Sequence, residues 1–233
     1  MAVLTLLLTF AAMPPVRGCE PQFAPLEAAS SPDDSALPVW SKHEAGEWDG
    51  AGWLGWTPGS DGDDILKPVR LIVRDRPKRR RDDEAEVTVE SIPAVTYAVR
   101  CIPGLRAGKI NTASSREPTA GTGELIDGAP LRISLGKRRY QVRLQSARAD
   151  LSDAEVLLSE GRRTQVLYAA HGFADDPHFY IEWAGDLDRD GGLDLIVDLS
   201  RKYSLHPYRL LLSSKASGTH LVGDAAVFVT MSR

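Results

Sequence analysis

Short apolar runs that alternate with polar residues and close on glycine-containing turns constrain this chain more than any other feature. Residues 131–135 read LRISL, with Leu131, Ile133 and Leu135 on one face. Gly136-Lys137 follows, and then YQVRL at 140–144, with Tyr140, Val142 and Leu144 on one face. A side-chain period of two on either side of a short turn is the signature of a β-hairpin. AEVLLS and RTQVLYA form a second such pair around Glu160-Gly161. Further strand candidates lie at 68–75, 85–90, 95–101, 179–183, 193–199, 208–214 and 221–230. Stretches free of Gly and Pro are short, which disfavours long helices. The expectation is an all-β body, an antiparallel sandwich or barrel-like fold with long loops, among them residues 102–128. No period repeats along the whole chain, which argues against a full propeller.

The 233 residues are enough for one core without covalent staples. The division expected is an export signal at 1–18, a flexible tether at 19–38 and a single β-rich calcium-binding domain at 39–233. Residues 3–13 (VLTLLLTFAAM) are uncharged and too few to span a bilayer, as in the apolar core of an export signal. Residues 20–38 are rich in Pro, Ala and Ser and read as a linker. Gly18-Cys19 after the apolar run resembles the bacterial lipoprotein signal, which implies lipidation of Cys19 and attachment to a membrane. The other fate open to Cys19 is a bond to Cys101, the second of the two cysteines, in an oxidising compartment. The net charge of -4 speaks against a nucleic-acid partner, which wants a basic face. The basic run 78–81 is nearly neutralised by acidic neighbours and reads as a solvated hairpin tip.

The sharpest chemical motif is GDLDRDGGLD at residues 185–194. Asp186, Asp188, Asp190 and Asp194 fall at positions 1, 3, 5 and 9 of one loop, with Gly191 at position 6. Calcium wants six to eight oxygens, and alternate residues of a curling loop can aim several carboxylates at one centre. Gly191 allows the sharp turn through a positive φ. The expected ligands are the carboxylates of Asp186, Asp188, Asp190 and Asp194 and the carbonyl of Gly192, with Asp198 as a further candidate. Four carboxylates so close repel one another without a cation, so a structural dependence on Ca2+ follows. Magnesium tolerates so crowded an oxygen set less well.

The loop departs from an EF-hand, whose bidentate Glu is replaced at position 12 by Val197, and strands rather than helices flank it. It resembles the calcium loops of FG-GAP-type repeats over residues 183–198, through Asp186, Asp188, Asp190, Gly191, Asp194 and the apolar Leu193, Leu195 and Val197. Those proteins carry several units and this chain shows one, so the resemblance implies the ion and its loop, not a propeller. The chain is also similar to a family of uncharacterised bacterial lipoproteins, which implies no activity.

Other residues admit chemistry less directly. Trp40, Trp48, Trp53 and Trp56 either line a glycan or peptide groove or plug one end of the β structure. Asp61, Asp63 and Asp64 read as a solvated acidic turn. His171 and His178 flank Asp175 and Asp176, but no zinc motif accompanies them. Ser213, Ser214 and Lys215 lack the elbow and partner motifs of a nucleophile and read as a strand end. No catalytic residue and no organic cofactor is assigned. The function expected is a calcium-binding extracytoplasmic domain with a structural or protein-interaction role, its partner a protein or a surface glycan. It would be periplasmic, anchored in the outer membrane or secreted. The alternatives are an envelope hydrolase acting on cell wall or polysaccharide, and a periplasmic inhibitor or immunity protein.

Overall fold

The computed structural model describes residues 19–26, 39–59, 64–76, 85–116 and 123–231. The export signal expected over 1–18, the tether residues 27–38, Asp61, Asp63 and the basic run 78–81 lie outside the described residues. Among the described residues seventeen strands, numbered in chain order, form three sheets. The first runs β1 (Gln22–Pro25), β6 (Tyr97–Arg100), β3 (Gly50–Trp56), β4 (Ile65–Asp75), β5 (Glu86–Ile92), β2 (Val39–Ser41), with β7 (Gly108–Lys109) on the start of β4. The second runs β13 (Arg163–Ala169), β12 (Glu155–Glu160), β11 (Arg138–Gln145), β10 (Leu131–Leu135), β9 (Ser114–Arg116). The third runs β17 (Gly223–Met231), β16 (Leu205–Leu212), β15 (Asp194–Ser200), β14 (His178–Asp186), β8 (Asn111–Thr112). Every strand pairing is antiparallel, and each sheet order is open at both ends.

The hairpins expected from alternation are present. Leu135 pairs with Arg138 across Gly136-Lys137, and Glu160 pairs with Arg163 across Gly161-Arg162. Both two-residue turns place a glycine at positive φ, as tight hairpins require.

The third sheet feeds two cores, one from each face. Phe179, Ile181, Leu195, Val197, Leu199 and Leu211 pack with Ile133, Val142, Leu144 and Leu158 of the second sheet. Trp183, Ile196, Tyr208, Leu210, Leu212 and Phe228 pack with the first sheet. Coverage on both faces explains why all of β15 is buried and why its sequence is almost continuously apolar. A register shift between Ile181 and Trp183 makes Glu182 the extra residue of a bulge. The bulge turns Trp183 from the face used by Ile181 to the opposite one.

The tryptophans do not form a groove. Trp40, Trp48, Trp53 and Trp56 are all buried in the first core. Trp40 and Trp48 meet Phe228 of β17, and Trp56 meets Trp183 edge-on with centroids 5.6 Å apart. Burying each such side chain contributes about 1.5–3 kcal/mol. They join sheets, which fits the packing reading of these residues and not the groove reading. One helical turn, Lys42–Ala45, lies among them, closed by a reciprocal capping box between Ser41 and Glu44.

Two expectations about the N-terminal region are corrected. Residues 22–25, assigned above to a tether, form β1 in full register with β6, and Phe23, Ala24 and Leu26 are buried. Cys19, expected to be lipidated, is bonded to Cys101 with a Cα–Cα distance of 5.8 Å. Its sulfur is therefore unavailable for acylation, and membrane attachment through Cys19 is overturned. Strand pairing explains the bond: Gln22 opposes Arg100, so the two cysteines emerge at the same end of the β1–β6 pair. A disulfide between the only two cysteines is consistent with an oxidising, non-cytoplasmic compartment. No helix among the described residues is long and apolar enough to cross a membrane.

Candidate metal centre

The Asp loop connects β14 to β15, and its first and last aspartates are the ends of those strands. Gly185 pairs with Asp194, so the strand register itself brings position 1 of the loop beside position 9. The loop turns back through two left-handed residues, Arg189 at φ 66 and Gly191 at φ 82. Gly191 meets the second at no steric cost, whereas Arg189 is held there by its guanidinium, which donates to the carbonyls of Lys109 (2.7 Å) and Arg106 (2.9 Å). From the other side Arg138 donates to the carbonyl of Gly191 at 2.9 Å while paired with Glu160 at 2.7 and 2.9 Å. The loop is thus pinned to the second sheet and to the backbone of β7 and the residues just before it.

Asp186, Asp188 and Asp194 bring one oxygen each within 4.8 Å of one another. Asp194 is fully buried and occupied at both oxygens: Oδ2 accepts from the Leu187 amide (2.7 Å), and Oδ1 from the Ser213 amide (2.8 Å). Asp188 Oδ1 accepts from the Asp190 amide (3.2 Å), and its Oδ2 from the Ser214 hydroxyl. Asp186 Oδ2 accepts from the Gly191 amide at 3.2 Å. Asp186 Oδ1 is buried and has no hydrogen-bond partner, although the residue is only 4% exposed. Buried polar atoms are satisfied as a rule, so this oxygen calls for an explanation.

The electrostatics point the same way. Burial first, and then the charges of Asp188 and Asp190, push the Asp194 carboxyl up to about 7 against the pull of the Ser213 and Leu187 amides. Burial likewise raises Asp186, with Asp190 and Asp188 adding to it. Asp186 and Asp194 thus both resist ionisation unless a positive charge joins the cluster.

The remaining expected ligands are placed differently. Asp190 is exposed and turned toward Ser213, whose hydroxyl donates to it at 2.6 Å, and toward the Gly192 amide at 2.7 Å. Gly192 shows a steric requirement: an added Cβ would overlap Ser213 Oγ and Cβ. Asp198 is not part of this loop site. It lies four residues along β15 from Asp194, about 13 Å at the rise of a strand, and contacts His178 and His206. Ser213 and Ser214 read as a bare strand end in the sequence, yet they are the main side-chain donors to the loop. Asp64 is not in a solvated turn. It is 3% exposed and accepts from the Gly59 amide (2.6 Å) and the Thr112 hydroxyl.

His171 is exposed and beside Gln145 and Asp153, away from His178. A polar groove of about 830 Å³ borders β10 and β11, lined among others by Thr112, Arg132, Ser134, Arg139 and Gln141, with no carboxylate among its lining residues. Paired carboxylates of the glycosidase kind are not found there. Comparison of the chain with protein-family models, with curated proteins and with solved structures finds no match.

Proposed function

We propose that the loop Asp186–Asp194 binds one calcium ion and that this ion locks a structural or protein-interaction domain outside the cytoplasm. The observation that carries the reading is the buried, unpartnered Oδ1 of Asp186 on a carboxylate that clusters with those of Asp188 and Asp194. An all-oxygen, anionic set suits a hard cation. Asp190, on the exposed side, completes the sphere directly or through water. The ion acts as a clamp, because the loop ties β14, β15 and the turn after β16 to Arg138 of the second sheet and to the backbone at 106–109. Nothing in this arrangement leaves a carboxylate free for acid–base chemistry once the ion is bound. The disulfide supports a site of action in a periplasmic or secreted setting, where calcium is abundant.

Calorimetric titration of chelator-treated protein with calcium and with magnesium, with thermal melts before and after, tests this. One calcium equivalent with a raised melting temperature is expected, and a weaker response to magnesium. A melt that does not move with calcium removes the clamp.

A further inference from the structure

We propose that His178, Asp198 and His206 form a second metal site, for a borderline divalent transition-metal ion with zinc foremost, independent of the calcium loop. The three residues stand on three neighbouring strands, β14, β15 and β16. Tyr180 pairs with Asp198, and Asp198 with Tyr208, so residues two positions before each tyrosine share the face that Asp198 presents. One potential ligand atom from each lies within 4.8 Å of the others. His206 Nδ1 is 2.7 Å and His178 Nε2 is 3.1 Å from the same oxygen, Asp198 Oδ2. Tetrahedral zinc with bonds of about 2.0–2.2 Å sets its ligand atoms roughly 3.3 Å apart, so the 2.7 Å and 3.1 Å separations need to widen by about 0.6 and 0.2 Å to admit an ion.

A second observation separates this site from a simple hydrogen-bonded trio. The Asp198 side chain is 3% exposed, yet its Oδ1 is buried with no hydrogen-bond partner. A carboxylate that served only to hold two imidazoles would not leave an oxygen stranded at that depth. The rings are prealigned: their centroids are 4.7 Å apart, and His206 stacks on Tyr208 and His178 leans on Tyr180. Side-chain exposures of 13% for His178 and 25% for His206 give an ion a path from solvent. Two imidazole nitrogens and one carboxylate suit zinc better than calcium, which prefers oxygen alone. To bind the ion, His178 Nε2 and His206 Nδ1 must each offer a lone pair where they now face Asp198, with the ring proton on the other nitrogen and any further proton released to water. Three protein ligands leave a coordination position open to water or to a partner's side chain. Both cysteines are in the disulfide and do not compete for the ion.

The test uses the full oxidised chain saturated with calcium. Zinc titration by calorimetry should show one equivalent at neutral pH. His178→Gln and His206→Gln should each weaken it by at least about 100-fold, while the calcium-induced melting shift stays as in the wild type. On the unaltered chain, zinc should move the ring nitrogen resonances of His178 and His206 and leave those of the exposed His43, His171 and His220 in place. This readout holds even where a variant folds poorly. Absence of zinc binding, binding that survives in the doubly substituted chain, or resonance shifts confined to the exposed histidines each overturns the site.

Discussion

Asp186→Asn separates a cation site from a self-sufficient turn, because the two ideas predict opposite signs. Without an ion, the wild-type carboxylate keeps Oδ1 buried and unpartnered beside Asp188 and Asp194. An unsatisfied buried polar atom costs about 1–3 kcal/mol. The isosteric amide is neutral, retains an oxygen for the Gly191 amide and turns a donor toward the neighbouring carboxylates. In chelator the variant should therefore melt higher than the wild type. At about 2–4 °C per kcal/mol for a chain of this size, the gain is roughly 2–12 °C. With calcium at about 100 times its Kd, the wild type gains about 2.7 kcal/mol, roughly 5–11 °C, by mass action. The variant, short of one anionic ligand, should gain far less. Paired melts by circular dichroism, with chelator and with calcium, should show the order of the two proteins reversing. A variant that melts below the wild type in chelator, or that shows the full calcium shift, refutes the reasoning.

Further outcomes are expected elsewhere. Gly192→Ala places a Cβ against Ser213 and 2.9 Å from Asp190 Oδ1. It should cost about 1–3 kcal/mol by overpacking and weaken calcium binding, and a melt within about 1 °C of the wild type would contradict this. Joint replacement of Cys19 and Cys101 by Ser opens a bond spanning 82 residues. It should cost up to about 4 kcal/mol in urea unfolding, and an unchanged midpoint would mean that β1 docks without the bond. The Arg138 hydrogen bond holds the Glu160 carboxyl below its ordinary value. A depressed folded pKa stabilises above the unfolded value and is lost as pH falls. The difference in urea midpoint between wild type and Arg138→Gln should therefore be largest above about pH 5 and shrink toward pH 3. A difference independent of pH would assign Arg138 a packing role only.

Alternation made the hairpins legible because it is a property of adjacent residues. LRISL and YQVRL each carry their own face, and Gly136 supplies the turn. The layer arrangement was not legible in this way. Nothing local to LDLIVDL says that one face meets Val142 and Leu158 while the other meets the tryptophans, since that follows from which strands neighbour β15. The glycines around the tryptophans spoke only against a helix, and nothing local said that Gly55 is where Tyr97 and Val95 approach the backbone. Pro-rich composition assigned 22–25 to a tether, but Phe23 and Ala24 fit the edge of a sheet that only the return of β6 creates. The capping box Ser41–Glu44 was a local signal that the glycine-rich context obscured.

The two clusters show the same division between contiguous and register-borne chemistry. Asp186, Asp188 and Asp194 lie within one turn of chain, so their spacing announced them, although Ser213 and Ser214, which satisfy their outer oxygens, come from the next connection and carry no signature of their own. His178, Asp198 and His206 are separated by twenty and eight residues and meet because antiparallel strands align them. Asp198 illustrates the consequence. By sequence distance it belongs with Asp194, and along a strand that distance is about 13 Å, too far to share an ion. It instead meets residues from the neighbouring strands, whose register places His178 and His206 around one carboxylate oxygen. A carboxylate at the end of β15 and another toward its far end thus serve different partners on one rigid strand. If the two ions bind as proposed, loss of either leaves the register between the two sites intact, so calcium-induced stability and zinc affinity should respond to substitution separately.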